Sequence, residues 1–150
     1  MSKAIRVGMA DKKLCRPPES VSTLGLGSCI GVVLYDKIGK WCGMAHCMLP
    51  DSTLISMNDN RDKFVDTCLE DMYKALLRNG VQQRNLVSKI AGGARMFAYD
   101  SINENMNIGA RNIAAAKKFL SEHRIPILAE HTGETYGRTI EFFPETGTLM

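Results

Sequence analysis

The chain has 150 residues, enough for one domain with a buried core, and its 45% hydrophobic and 23% charged residues are typical of a soluble globular protein. The 19 basic and 16 acidic side chains leave a net charge of +3, too small and too evenly spread to indicate a nucleic-acid partner. No apolar run is long enough for a signal peptide or a membrane span. The five cysteines form no C-x-x-C, which indicates a reduced cytoplasmic protein.

The first third of the chain has patterns typical of strands separated by turns. Short runs rich in β-branched and apolar residues predict extended structure, and the cluster Gly25, Gly27 and Ser28 predicts a sharp turn. Pro17 next to Pro18, with several charged residues, predicts a loop. The predicted elements are strands over 4–9, 21–26, 29–36 and 41–49, a loop over 11–20, a hairpin turn over 36–40 and a polar loop over 49–60.

Alternation along the strand over 41–49 assigns its side chains to two faces. Cys42, Met44, His46 and Met48 are predicted to share one face, while Cys47 points to the other. Cys47 is therefore a poor candidate for a catalytic partner of His46.

The second half of the chain alternates strand and helix patterns. Apolar residues recur at helical spacing over 61–79, where Cys68 falls in the apolar stripe and Gly80 follows as a C-terminal cap. Asn107 is predicted to cap a second helix. That helix is predicted over 109–123, with strands over 86–91, 125–130 and 138–143 and a final turn over 144–147. This order predicts a single α/β or α+β domain, a layered mixed sheet with helices packed against it.

Cys29 follows the glycine turn in the stretch TLGLGSC, a position that suits a nucleophile. A free thiol has a pKa of about 8.5, so a catalytic cysteine needs a base nearby. The turn is predicted to free backbone N–H groups near Gly27 and Ser28 from sheet pairing, and such groups can bind an oxyanion. The alternative is that Cys29 is a small buried core residue, the more common role of a cysteine at the start of an apolar run.

The chain offers three histidines as the base. His46 lies in a predicted strand, and His131 lies in a predicted loop as a second candidate. His123 falls at the end of a predicted helix, where a partly charged imidazole is favourable for reasons unrelated to catalysis.

Two further kinds of site are less well supported. The stretches GLGSC and GGAR could each hold a phosphate, but neither has the lysine and the Ser/Thr of a P-loop. A metal or redox protein is another alternative, but the spacing of its potential zinc ligands matches no recurrent zinc pattern. Those ligands are Cys29, Cys42, His46, Cys47 and His131.

Several stretches resemble the CheD family of chemoreceptor glutamine deamidases. They are TLGLGSC, GMAHCMLPDS, KIAGGARMF, MNIGARN, and LAEHTG followed by GRTIEFFPETG, and they span nearly the whole chain in the family's order. The chain departs from the family where other members have AEDTGG, since His131 and Glu134 stand there. This departure concerns loop shape and partner preference, not the positions that match the family's catalytic set.

The resemblance implies a protein-glutamine glutaminase, without a cofactor, that converts receptor glutamines to glutamate and releases ammonia. It implies Cys29 as nucleophile, His46 as base and Thr23 as the residue that orients the imidazole. It further implies a fold similar to toxin deamidases, a cytoplasmic location and chemoreceptor cytoplasmic domains as substrate. The alternative is a mainly regulatory partner of the CheC phosphatase. Further residues fit the family pattern and are not interpreted as catalytic: the glycines are interpreted as turn residues and Asn107 as a helix cap. They are Gly92, Gly93, Asn107, Gly109, Arg111 and Asn112.

Overall fold

The computed structural model describes residues 4–52, 60–95 and 107–150, which form two β-sheets and two α-helices. Five strands precede both helices: β1 (Ala4–Arg6), β2 (Asp11–Cys15), β3 (Ser20–Leu26), β4 (Ile30–Asp36) and β5 (Cys42–Cys47). The helices are α1 (Val65–Arg78) and α2 (Ile108–Glu122). The remaining strands are β6 (Leu86–Gly92), β7 (Ile127–Thr132), β8 (Arg138–Phe143) and β9 (Thr148–Leu149).

Both sheets are of mixed strand direction. The four-stranded sheet has the order β1-β3-β8-β9, and the five-stranded sheet has the order β2-β5-β4-β6-β7. β1 pairs in parallel with β3, and β6 pairs in parallel with β7. Two parallel neighbouring strands cannot be joined by a tight turn and need a long crossover connection. Helix α2 lies in the connection between β6 and β7. The predicted α+β class is confirmed, and similarity to toxin deamidases stays a prediction.

The central strands of the five-stranded sheet, β4, β5 and β6, are buried on both faces. One face packs against α1 and α2, and the other packs against β3 and β8 of the four-stranded sheet, which gives three layers. The helix-side residues of β4 and β5 are Ile30, Val32, Leu34, Ala45 and Cys47. The opposite face carries Cys29, Val33, Tyr35, Cys42 and Met44. The predicted alternation of β5 is therefore confirmed, and Cys47 points into the helix-side core.

The two helices confirm most of the predicted pattern. Helix α1 buries Cys68 in its apolar stripe, and Gly80 follows it with a φ of +92°. A 3₁₀ turn (Arg61–Lys63) and an extended residue precede α1, so the α-helix starts later than predicted. Asn107 caps α2 by accepting a hydrogen bond from the Ala110 N–H. Neither helix has the length and apolarity needed to cross a bilayer.

The predicted loop over 11–20 is wrong in its first half, which forms β2. This strand pairs antiparallel with β5, from Asp11 opposite His46 to Cys15 opposite Cys42. β2 is an edge strand, and charged side chains such as Lys13 are common on edges because they hinder pairing with other chains. The predicted loop over 49–60 lies partly outside the described residues.

Candidate functional site

Cys29 lies at the end of the turn that joins β3 to β4, immediately before Ile30. It is 9% exposed, whereas the other four cysteines are 0–2% exposed. Cys29 is therefore the most exposed cysteine residue of the chain, although it also contacts the core between the two sheets.

His46 lies on the same face of the five-stranded sheet as Cys29. In the β4–β5 pair, Gly31 is directly opposite His46 and Ile30 is opposite Cys47. Cys29 therefore occupies the position diagonal to His46, where side chains of neighbouring strands can interact. The side chains of Leu26 and Ile140 cover Gly31, since a Cβ there would lie 3.0 Å from Leu26 Cδ1 and 3.1 Å from Ile140 Cδ1.

Thr23 fixes the tautomer of His46. Its Oγ1 lies 2.7 Å from the Val7 carbonyl oxygen and 2.7 Å from His46 Nδ1. A carbonyl oxygen can only accept, so the single hydroxyl proton of Thr23 goes to Val7, and Oγ1 accepts the proton of His46 Nδ1. Nε2 then carries the free lone pair. Within the described residues, this buried Nε2 has no hydrogen-bond partner.

Burial keeps both reactive groups neutral. It raises the pKa of the Cys29 thiol above its ordinary value, an effect that the residue's own backbone N–H partly opposes. Burial lowers the pKa of His46. Near neutral pH the thiol is protonated and the imidazole is uncharged.

In the turn before β4, the backbone carbonyl groups accept hydrogen bonds, whereas the backbone N–H groups donate none to other described residues. The Gly27 carbonyl accepts from the Ala94 N–H, the Ser28 carbonyl from the Asn112 side chain, and the Cys29 carbonyl from the Gly93 N–H. In the part of the chain that the structure describes, the N–H groups of Gly27, Ser28 and Cys29 donate to no other residue. Because C=O and N–H point in opposite directions in a trans peptide unit, this arrangement orients the amides of Ser28 and Cys29.

We expect Gly92→Ala to displace Cys29. A Cβ at Gly92 would lie 2.4 Å from the Cys29 carbonyl oxygen, and the Gly92 φ is +104°. The control is Gly80→Ala, where φ is +92° but no atom lies within 4 Å of the added Cβ. The positive φ alone costs an alanine about 1–2 kcal/mol. Chemical denaturation should show a larger loss for Gly92→Ala than for Gly80→Ala, and equal losses would contradict the close contact.

The other candidate histidines lie elsewhere in the fold. His131 is on the exposed edge strand β7 and bonds through Nε2 to the Tyr136 hydroxyl. His123 follows α2, bonds to the Phe119 carbonyl and stacks on the Phe119 ring. Among residues 4–52, 60–95 and 107–150, no group of three or more His, Cys, Asp or Glu side chains is arranged to hold a metal ion.

Sequence reasoning missed two groups of the site, the Val7 carbonyl and the side chain of Asn112. A backbone carbonyl gives no signal in a sequence. Asn112 did give one, because it lies four residues before Ala116 on the apolar stripe of α2. A polar side chain on such a stripe needs buried hydrogen-bond partners, and asparagine is a poor helix former.

A cysteine at a strand end and a neutral imidazole held by a hydroxyl are groups that cysteine hydrolases use. Comparison with known proteins shows to which protein family the chain belongs. The family model described as CheD chemotactic sensory transduction matches residues 48–150. That match covers more than half of the chain but begins after Thr23, Cys29 and His46.

Full-length relatives align over the whole chain, including Thr23, Cys29 and His46. The probable chemoreceptor glutamine deamidase CheD of Lachnoclostridium phytofermentans is 53% identical over 150 residues, 100% of this chain and 93% of the relative. The chemoreceptor glutamine deamidase CheD of Halalkalibacterium halodurans is 51% identical, over 99% of this chain and 93% of the relative. The chemoreceptor glutamine deamidase CheD of Bacillus subtilis is 47% identical, over 97% of this chain and 88% of the relative. The chain belongs to the CheD family.

Proposed function

We propose that this protein is a chemoreceptor glutamine deamidase in which Cys29, His46 and Thr23 form the catalytic site. The family relationship supports the reaction. The observation that carries the site assignment is the Thr23–His46 hydrogen bond, since it leaves Nε2 unprotonated on the sheet face that Cys29 shares.

The proposed reaction begins with a proton transfer between neutral groups. His46 Nε2 takes the proton of the Cys29 thiol as the sulfur attacks the carboxamide carbon of glutamine. A resting thiolate–imidazolium pair is disfavoured, because burial raises the pKa of Cys29 and lowers that of His46. Thr23 accepts the Nδ1 proton throughout, so the imidazolium that forms keeps its orientation.

The tetrahedral intermediate then collapses to a thioester. The unused N–H groups of Ser28 and Cys29 are the proposed donors to its oxyanion. The imidazolium gives its proton to the amide nitrogen, the C–N bond breaks, and ammonia leaves. His46 next takes a proton from water as the water oxygen attacks the thioester. The C–S bond breaks, the sulfur recovers its proton from His46, and glutamate is released.

The substrate class implies a location and partners. We place the protein in the cytoplasm with the cytoplasmic domains of chemoreceptors as its substrate, because the relatives are named for action on chemoreceptors. Binding to a CheC phosphatase stays a prediction. The reaction uses side chains and backbone amides alone and needs no cofactor.

Peptide mass spectrometry of a chemoreceptor cytoplasmic domain tests the function. The wild-type protein should convert specific glutamines to glutamate, and Cys29→Ala should abolish the conversion. Cys15→Ala removes another buried thiol, in β2, and should retain activity. Equal conversion by wild type and Cys29→Ala would exclude Cys29 as the nucleophile. No conversion by the wild-type protein with several receptors would exclude the deamidase function and favour a regulatory role.

A further inference from the structure

We propose that Asn112 is a positioning residue whose side-chain amide orients the Cys29 N–H toward the oxyanion of the reaction intermediate. The proposal rests on the proposed hydrolase function. Within the described residues, Asn112 makes no hydrogen bond to the Cys29 sulfur or to the His46 imidazole.

The contacts of Asn112 define the orientation of its amide. The residue is fully buried in α2, and its Nδ2 lies 2.8 Å from the Ser28 carbonyl oxygen and 3.0 Å from the Met48 carbonyl oxygen. Both neighbours can only accept hydrogen bonds, so the NH₂ side of the amide must face them. Both N–H bonds of Nδ2 are thereby used.

The Ser28 contact acts on the amide of Cys29 because the two groups share one peptide unit. Its C=O and N–H point in opposite directions, so a carbonyl held toward α2 turns the Cys29 N–H away from α2. That N–H lies beside the Cys29 thiol, where it partly opposes the effect of burial on the thiol pKa. It therefore points to the region where an oxyanion forms when the sulfur attacks a carbonyl carbon.

The Met48 contact anchors the amide of Asn112. Met48 follows β5, two residues after His46, and its N–H is bonded to the Lys63 carbonyl. The strand that carries His46 thus provides a fixed acceptor. His46 itself is held separately by Thr23 and by the β4–β5 pairing. Loss of Asn112 is therefore expected to release the Ser28–Cys29 peptide unit more than the imidazole.

Two reactions of Cys29 separate oxyanion binding from the reactivity of the thiol. Acylation by p-nitrophenyl acetate passes through a tetrahedral oxyanion, whereas alkylation by iodoacetamide displaces iodide at a saturated carbon and forms none. In Asn112→Asp and Asn112→Ala, we expect the burst rate of nitrophenolate release to fall about 10- to 100-fold, somewhat less than the loss caused by removing an oxyanion donor outright. The alkylation rate should stay close to that of the wild-type protein. Equal losses in both reactions, or an unchanged acylation rate, would overturn the proposal.

Ala116→Gly is the matched control, since Ala116 is buried on the same face of α2, four residues further on. It should weaken the helix by about 1 kcal/mol and leave both rates unchanged. Wild-type NMR supplies a measurement that depends on no variant. The Nδ2 protons of Asn112 should exchange slowly with solvent, and rapid exchange would overturn the proposal even if neither Asn112 variant folds. Neither reagent is a receptor, so failure of receptor deamidation alone would leave this inference intact.

Discussion

Replacing His46 with asparagine is expected to lower kcat for glutamine deamidation by about 10²–10⁴-fold, the usual contribution of a general base. An asparagine Nδ2 can take the place of the imidazole Nδ1 and continue to donate to Thr23 Oγ1. The variant therefore removes the base at Nε2 while it keeps the buried hydrogen bond. Steady-state kinetics on a receptor domain and urea denaturation should show a large loss of kcat with a small change in stability.

His131→Asn is the matched control, since His131 is the second histidine that the sequence offers as a base. It is exposed on an edge strand, so we expect the variant to keep its activity. Loss of activity in His131→Asn together with retained activity in His46→Asn would reverse the assignment of the base.

The lowered pKa of His46 makes the same prediction testable by pH. The base must be neutral to act, so the acidic limb of kcat/KM in the wild-type protein should lie below the ordinary histidine pKa of about 6.5. Between the folded pKa and about 6.5 the unfolded chain binds more protons, so stability should decrease as the pH falls through this window. Below the folded pKa, the contribution of His46 should level off. His46→Asn should remove that contribution.

Thr23→Val is expected to destabilise the protein and to impair catalysis together. Valine has nearly the shape of threonine but leaves two buried groups without partners, the Val7 carbonyl and the His46 Nδ1–H. Each unpaired group costs about 1–3 kcal/mol of the free energy of unfolding. Without its acceptor the imidazole is no longer held, and misplacement of a reacting group by about 1 Å can cost about 10²-fold in rate.

Thr23→Ser tests whether the hydroxyl is responsible. It keeps both hydrogen bonds and loses one methyl group, a change worth about 1 kcal/mol. Urea denaturation and kcat should place Thr23→Ser near the wild-type protein and Thr23→Val far below it. If the two variants behave alike, the hydroxyl does not orient His46.

Much of the fold could be predicted because its signals are local. The β-branched run of β4 and the stripe of α1 each reflect the periodicity of a single element. β2 could not be predicted in this way. Its sequence, DKKLC, has the charges of a loop, and it becomes a strand because β5 offers it an edge for pairing. Pairing partners lie far apart in sequence, so short local patterns do not reveal them.

In the candidate site, too, local sequence patterns predicted some features, and contacts between distant residues decided the others. The sequence by itself determined the thiol after a glycine turn, the histidine on an alternating strand and, through alternation, the exclusion of Cys47 as a partner of that histidine. Only the tertiary structure decided which Nδ1 acceptor His46 has, and therefore which of its nitrogens is free. The same holds for the orientation of the turn, where Asn112 reaches the Ser28 carbonyl across 84 positions of the chain. Such contacts depend on how helices and sheets pack against each other. Packing brings together residues that are far apart in the sequence, and no local periodicity of the sequence indicates that they will meet.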